Sequence, residues 1–186
     1  MAWKSCLVRA ALLLLFGCLL STPTSVSAKV FITVDEALRL AFPDCAVERT
    51  TIYLTQQQIT DAAGLSNSEI TSAIVHPYVA KKDGSVIGTA YFDAHIVRTL
   101  PETIMVVVNS KDRVKRIELL SFNEPTDYIP KDVWYQQFVD QHLHEALVLK
   151  RDIRQMAGAT LTARVTTDAV RRVLAVHQIL KDGIGK

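Results

Sequence analysis

The hydroxyl of Thr160 stands where the chain changes from a flexible run to a helical pattern. The surrounding segment reads MAGATLTARVTTDAVRRVLAV (156–176), and Gly158 can adopt backbone conformations that other residues avoid. The Thr160 hydroxyl can therefore project beyond its neighbours, and backbone N–H groups near a turn and a helix start can receive a phosphate group. Because Gly-Ala-Thr also occurs in ordinary turns, the pattern leaves open both a plain turn and an anchoring hydroxyl.

The other potentially reactive side chains do not form a recognisable catalytic or metal-binding set. His142 and His144 are two residues apart, which places them on different faces of a helix and makes them a poor metal pair. Cys45 is the one cysteine that follows the N-terminal apolar segment, so neither an internal disulfide nor a Cys-x-x-Cys pair is encoded there. We therefore predict no catalytic residue and no metal site.

A second dense segment, FNEPTDYIPKDVWYQQF (122–138), combines aromatic rings with carboxylates. The pattern favours a hydrophobic core with an aromatic edge. The alternative is a platform for a flat aromatic ligand, with the ring of Tyr128 and the carboxylate of Glu124 as candidate contacts.

The first 28 residues have the pattern of a secretory signal. A basic start with Lys4 and Arg9 precedes an apolar run that is too short to span a bilayer comfortably, and SVSA (25–28) fits a cleavage site. Cys18 after a glycine also allows a lipid anchor, although the preceding Phe16 is bulkier than is usual there. We expect an exported, periplasmic or envelope-associated protein.

The charge balance gives no indication of a nucleic-acid partner. The whole chain has 21 Lys and Arg residues against 19 Asp and Glu residues. Removal of Lys4 and Arg9 with the signal leaves 19 of each, so the mature chain is formally neutral. A basic binding surface is therefore not predicted.

Four segments have helical patterns. The predicted helices span 33–42, 55–65, 131–143 and 166–181. Their candidate capping residues are Thr33, Thr55 and either Thr166 or Thr167. The first two helices define a helical N-terminal segment, 29–70, which we expect to form one compact domain with residues 71–186.

Two hairpins are predicted in the middle of the chain. The first joins 72–80 to 86–97 through the turn residues Asp83 and Gly84, and the second joins 103–108 to 113–122. Irregular alternation in the last of these strands indicates a bulge or a twist. The fold class that follows is α+β, a twisted antiparallel sheet with packed helices.

The segment that contains Gly158, Ala159 and Thr160 resembles the end of the FMN-binding domain family. This family includes the flavin subunits of sodium-pumping NADH:quinone reductases and related electron-transport complexes, and its motif is Ser/Thr-Gly-Ala-Thr followed by a hydroxyl residue and a helix. TIMVVVNSKDRVKRIELLSFNEP (103–125) resembles the strand–turn–strand of the family, and WYQQF (134–138) resembles the helix that follows.

The resemblance implies that FMN is joined through its phosphate to Thr160 by a Mg-dependent flavin transferase that uses FAD as donor. Gly158 and Ala159 would shape the turn, Thr162 would hydrogen-bond nearby, and Glu124 and Tyr128 would lie near the cofactor. It also implies an electron-transfer flavoprotein, not a stand-alone catalyst, that relays electrons between redox partners. One such partner would be a membrane-bound or haem-containing protein.

Two departures from the family pattern leave two alternatives open. The chain has Ala157 where the family usually has Ser or Thr, and Arg154 where it usually has an acidic residue. One alternative is a flavin-free interaction module with the same fold. The other is a protein that binds FMN without a covalent bond.

Overall fold

The structure is a computed structural model that describes residues 29–184. The strands are β1 Lys29–Val30, β2 Ala46–Arg49, β3 Ile52–Tyr53, β4 Ile74–Val75, β5 Tyr78–Lys82, β6 Ser85–Ile96, β7 Pro101–Asn109 and β8 Val114–Phe122. The α-helices are α1 Val34–Ala41, α2 Gln56–Ser66, α3 Asp132–Tyr135 and α4 Thr160–Leu180. Short 3₁₀ turns lie at Thr126–Tyr128 and Gln136–Phe138.

Six strands form an antiparallel sheet in the order β1-β8-β7-β6-β5-β2, and β3 pairs with β4 in a small separate sheet. The predicted α+β class is confirmed. Asp83 and Gly84 both have positive φ angles, 50° and 78°, as a two-residue hairpin between β5 and β6 requires. The predicted irregularity of β8 is also present, since its pairing with β7 skips Lys115 and Leu120.

Strand β7 is buried on both faces and forms the centre of two hydrophobic clusters. Ile104, Val106 and Val108 face the cluster that α2 and α4 cover. Met105 and Val107 face the opposite cluster, which α1 covers. Helices on both sides explain why the segment reads as a continuous apolar run and not as an alternating one.

Helix α4 is held against the sheet by polar as well as apolar contacts. The Arg171 guanidinium is buried and donates hydrogen bonds to backbone carbonyls of Leu65, Ser66, His144 and Leu147. These bonds join α4 to the end of α2 and to the loop before the Gly-Ala-Thr segment. The direction of α4, and hence the position of its first residue, is therefore fixed by several parts of the chain.

Three details of the predicted helices and segments were wrong. Helix α4 begins at Thr160 and not at 166, and Thr166 and Thr167 are buried inside it, with side chains bonded to Glu102 and to the Ala163 carbonyl. The predicted helix 131–143 is one α-helical turn followed by a 3₁₀ turn that ends at Phe138. The segment 29–70 is not only helical, because β1 and β2 pair with the main sheet.

Among residues 29–184, no helix combines the length and the apolar character needed to cross a membrane. The predicted signal segment and Cys18 lie outside the described residues.

Candidate functional site

Thr160 is the first residue of α4, and its side chain is exposed. Gly158 has a φ of +83°, and a Cβ added there would meet no atom within 4 Å, so the loop before the helix faces open space. The Thr160 hydroxyl donates a hydrogen bond to the Met156 carbonyl at 3.1 Å. The hydroxyl is therefore accessible, and the turn beneath it orients it.

The N-terminus of α4 has no side-chain cap, in contrast to those of α1 and α2. Thr33 and Thr55 form complete capping boxes at the two shorter helices. At α4 the capping position is Ala159, which has no oxygen in its side chain, and no side-chain hydrogen bond replaces it. The first N–H groups of a 21-residue helix, with the positive end of its dipole, thus lie beside the Thr160 hydroxyl.

A pocket of about 190 Å³ adjoins Thr160. Its lining residues come from the turn after β6, from the 3₁₀ turn and from the start of α4: Val97, Arg98, Tyr128, Gly158, Ala159, Thr160, Leu161 and Thr162. The Thr162 hydroxyl donates to the Tyr128 carbonyl at 2.7 Å and joins two of these walls. Five of the six predicted binding residues therefore lie together around one pocket.

The sixth predicted residue, Glu124, does not line the pocket but contacts the turn after β6. Its Oε1 accepts hydrogen bonds from the Thr99 N–H at 2.7 Å, the Thr99 hydroxyl at 3.1 Å and the Leu100 N–H at 2.9 Å. The Thr99 and Leu100 N–H groups hold the pKa of Glu124 below its usual value. Glu124 thereby fixes the turn that carries Val97 and Arg98 into the pocket wall.

The aromatic segment serves as a core and not as an open platform. Trp134, Tyr135 and Phe138 are all buried, and the Trp134 ring makes edge contacts with the other two rings. The expectation of a core is confirmed for these three residues. Tyr128 differs from them, because its ring is half-buried and lines the pocket.

Two side chains from this aromatic segment hold the loop that leads to Thr160. The Trp134 indole N–H donates to the Arg154 carbonyl at 2.7 Å, and the Gln137 side-chain oxygen accepts from the Arg154 N–H at 2.9 Å. The N–H and the carbonyl of Arg154 are therefore both hydrogen-bonded to side chains, while the Arg154 side chain is exposed. Sequence reasoning missed this contact.

Sequence reasoning also missed Arg98, the one cation among the residues that line the pocket. Its guanidinium lies over the Tyr128 ring, 5.6 Å from the ring centroid. The signal available in the sequence was a lone arginine at the end of a predicted strand, which is an ordinary place for a solvated charge.

The fold and the site together define a domain with an exposed hydroxyl beside a small pocket at a helix N-terminus. Residues 100–175 match the family model described as the FMN-binding domain. A search of curated proteins found no match to the chain.

The pocket fits one end of FMN and not the whole molecule. Its volume of about 190 Å³ is below the roughly 300–1,000 Å³ that is usual for pockets enclosing a drug-sized ligand. An uncapped helix start, a hydroxyl and an arginine suit an anionic phosphate group. Phe31 and Leu40 are among the residues lining a larger groove on another part of the chain, and Thr160 is not part of that groove.

Proposed function

We propose that the protein is an exported flavoprotein that carries FMN as a phosphoester on Thr160 and relays electrons between redox partners. The observation that carries the proposal is the exposed Thr160 hydroxyl at the uncapped start of α4, inside a region that matches the FMN-binding domain. Support for export is the signal pattern of residues 1–28.

The attachment reaction is a phosphoryl transfer with FAD as the donor. The oxygen of Thr160 bonds to the phosphorus on the riboflavin side of FAD, and the pyrophosphate P–O bond breaks. AMP leaves, and the hydroxyl proton goes to solvent or to a base of the transferase. The product is a phosphodiester with a single negative charge beside the N–H groups of the first turn of α4.

A covalent bond compensates for a pocket that is too small to hold a flavin by burial alone. Outside the cytoplasm free FMN is scarce, so a weakly held cofactor would be lost by mass action. A phosphoester keeps the flavin beside its site at a high effective concentration. The small pocket at Thr160 is thus consistent with a tether as the main source of retention.

Once attached, FMN would supply one- and two-electron chemistry. The residues of this chain would hold its phosphate end at Thr160, fix that hydroxyl through the turn at Gly158, and keep the adjoining wall in place through Thr162 and Glu124. Thr160 is an anchor in this proposal and takes no part in electron transfer.

A pair of Thr160 variants tests the anchor assignment. The full chain is co-expressed with a flavin transferase, and covalent flavin is read as fluorescence of the denatured protein band. Thr160→Ala is expected to abolish the fluorescence, while Thr160→Ser keeps a hydroxyl and is expected to retain at least part of it. Undiminished covalent flavin in Thr160→Ala would refute the assignment.

The same preparation separates the two alternative functions. Flavin that is released from the wild-type protein by acid precipitation would indicate non-covalent binding of FMN. A colourless protein from cells with an active transferase would indicate the flavin-free interaction module.

A further inference from the structure

We propose that Arg98 is the phosphate-recognition residue of the Thr160 pocket, where it selects phosphorylated flavins over riboflavin before the covalent bond forms. This inference rests on the proposed function, since it concerns the same pocket. The ligand class is a flavin phosphate, either FMN or the FMN half of FAD.

Arg98 places a cation in the wall of the pocket that Thr160 also lines. Arg98 and Thr160 lie on different elements, the turn after β6 and the start of α4, and both line the same volume of about 190 Å³. A phosphate attached to the Thr160 oxygen would have the N–H groups of α4 on one side and a guanidinium within the same small space. Arginine suits this role because its planar fork can donate two parallel hydrogen bonds to a phosphate.

Arg98 is also free to bind an anion. In the part of the chain that the structure describes, it takes part in none of the ion pairs, while Arg116 and Arg172 pair with Glu118 and Asp93. Glu124, which contacts the same turn, uses its Oε1 to accept hydrogen bonds from Thr99 and Leu100. The described contact of the Arg98 guanidinium is the face of the Tyr128 ring, which leaves its N–H donors available.

The turn that carries Arg98 is held in place from two sides, so little ordering remains for binding. Val97 is buried, and its N–H donates to the Leu100 carbonyl at 3.1 Å, while Glu124 accepts from the backbone of Thr99 and Leu100. Stacking on Tyr128 further restricts the Arg98 side chain. A pre-positioned cation gives affinity because less conformational entropy is lost when the ligand binds.

The inference predicts a preference for FMN over riboflavin that depends on the charge of Arg98. Titrations of FMN and of riboflavin into the full chain made without a transferase would measure this preference. The wild-type protein is expected to bind FMN about tenfold more tightly, as one charge-assisted hydrogen-bonded contact provides. Arg98→Met, which keeps an apolar stem of similar length, is expected to lose most of this preference and to keep only the part that the N–H groups of α4 provide.

Arg164→Met is the matched control, because Arg164 is exposed on α4 and does not line the pocket. It is expected to keep the wild-type preference for FMN. The proposal is overturned if the wild-type protein binds FMN and riboflavin alike, or if Arg98→Met keeps the preference.

The test separates this inference from the anchor assignment when Thr160→Ala is included. If Arg98 recognises the phosphate, Thr160→Ala keeps the preference for FMN although it cannot form the ester. Undiminished covalent flavin in Thr160→Ala together with an Arg98-dependent preference would refute only the assignment of Thr160 as the anchor. Normal flavin attachment with no effect of Arg98→Met on the preference would refute only the role of Arg98.

Discussion

At the scale of single residues, the site depends on side chains that hydrogen-bond to the backbone near Thr160. Trp134 and Gln137 together satisfy both polar groups of the Arg154 backbone. This contact lies a few residues before Gly158, whose positive φ then turns the chain into α4. The orientation of the Thr160 hydroxyl is therefore set before the helix begins.

Gln137→Leu is expected to loosen this loop without unfolding the protein. The substitution keeps the side-chain size but leaves the Arg154 N–H without its acceptor, at a cost of about 1 kcal/mol in the free energy of unfolding. Hydrogen exchange measured by mass spectrometry should show faster exchange across residues 154–160. Gln136→Leu, at an exposed neighbouring position, is the control. Equal hydrogen-exchange rates of residues 154–160 in the two variants would contradict the role of the Gln137 side chain in holding this loop.

The residues of the pocket that adjoin Thr160 in the chain could be predicted from sequence, whereas the rest of the pocket could not. Gly158, Ala159, Thr160 and Thr162 belong to one contiguous motif, so their chemistry is visible without a fold. Arg98 lines the pocket because β6 ends beside the start of α4. This contact belongs to the tertiary structure and cannot be read from the sequence. Glu124 was identified as a candidate contact, but its bonds to the turn at Thr99 and Leu100 could not be read from its position in the chain.

At the scale of elements, a buried polar network joins α4 to β6 and β7. Glu102 is fully buried, and its Oε2 lies 3.1 Å from both the His95 Nε2 and the Thr166 hydroxyl. The His95 Nδ1 lies 2.9 Å from Asp93, which also pairs with Arg172 at 2.9 Å. Two strands and the helix are thereby tied together behind the first turns of α4.

Protonation of His95 should make the stability of the fold dependent on pH. Burial alone would lower the pKa of His95, but Asp93 and Glu102 outweigh it and raise the pKa to about 9. Because the folded value exceeds the unfolded one, the stabilisation is fully present below about pH 6.5 and is lost as pH rises through 9. The loss is on the order of 3 kcal/mol, at 1.36 kcal/mol per pKa unit.

Urea denaturation at pH 6, 7.5 and 9.5 would measure this loss. The wild-type free energy of unfolding should fall over that range, while His95→Gln should start lower and show a flatter dependence. A wild-type protein whose stability does not change between pH 6 and 9.5 would contradict a protonated His95 in the network.

At the scale of the whole molecule, the first segment of the chain is part of the main domain. Strand β1 pairs with β8 and β2 with β5, at opposite edges of the sheet. Helix α1 covers Met105 and Val107, and the Phe42 ring lies 3.2 Å from the place of a Cβ on Gly88. The family match begins at residue 100. The contacts of β1, β2 and α1 show that residues before the matched region are also part of the folded domain.

A fragment of residues 71–186 is therefore expected not to fold. It would lack α1 and both edge strands, and would expose the apolar face of β7 to water. Residues 29–186 should give a cooperative thermal transition by circular dichroism, and the shorter fragment should not. A cooperative transition in the fragment would show that 29–70 is an independent addition.

The hairpins of the sheet could be predicted from sequence, whereas its edge strands and the start of α4 could not. The hairpins were predictable because Asp83-Gly84 and long β-branched runs specify them locally. Strands β1 and β2 were missed because they contain two and four residues and form only by pairing with distant strands. The start of α4 was placed too late, because its threonines read as caps when they are buried hydrogen-bonding groups.

The most direct test of the central claim is the intact mass of the full chain after co-expression with a flavin transferase, followed by mapping of its peptides. The account predicts a mature mass increased by one FMN less one water, with the adduct on the peptide that contains Thr160. An unmodified mass in cells where a known substrate of the transferase is modified, or an adduct on another residue, would contradict it.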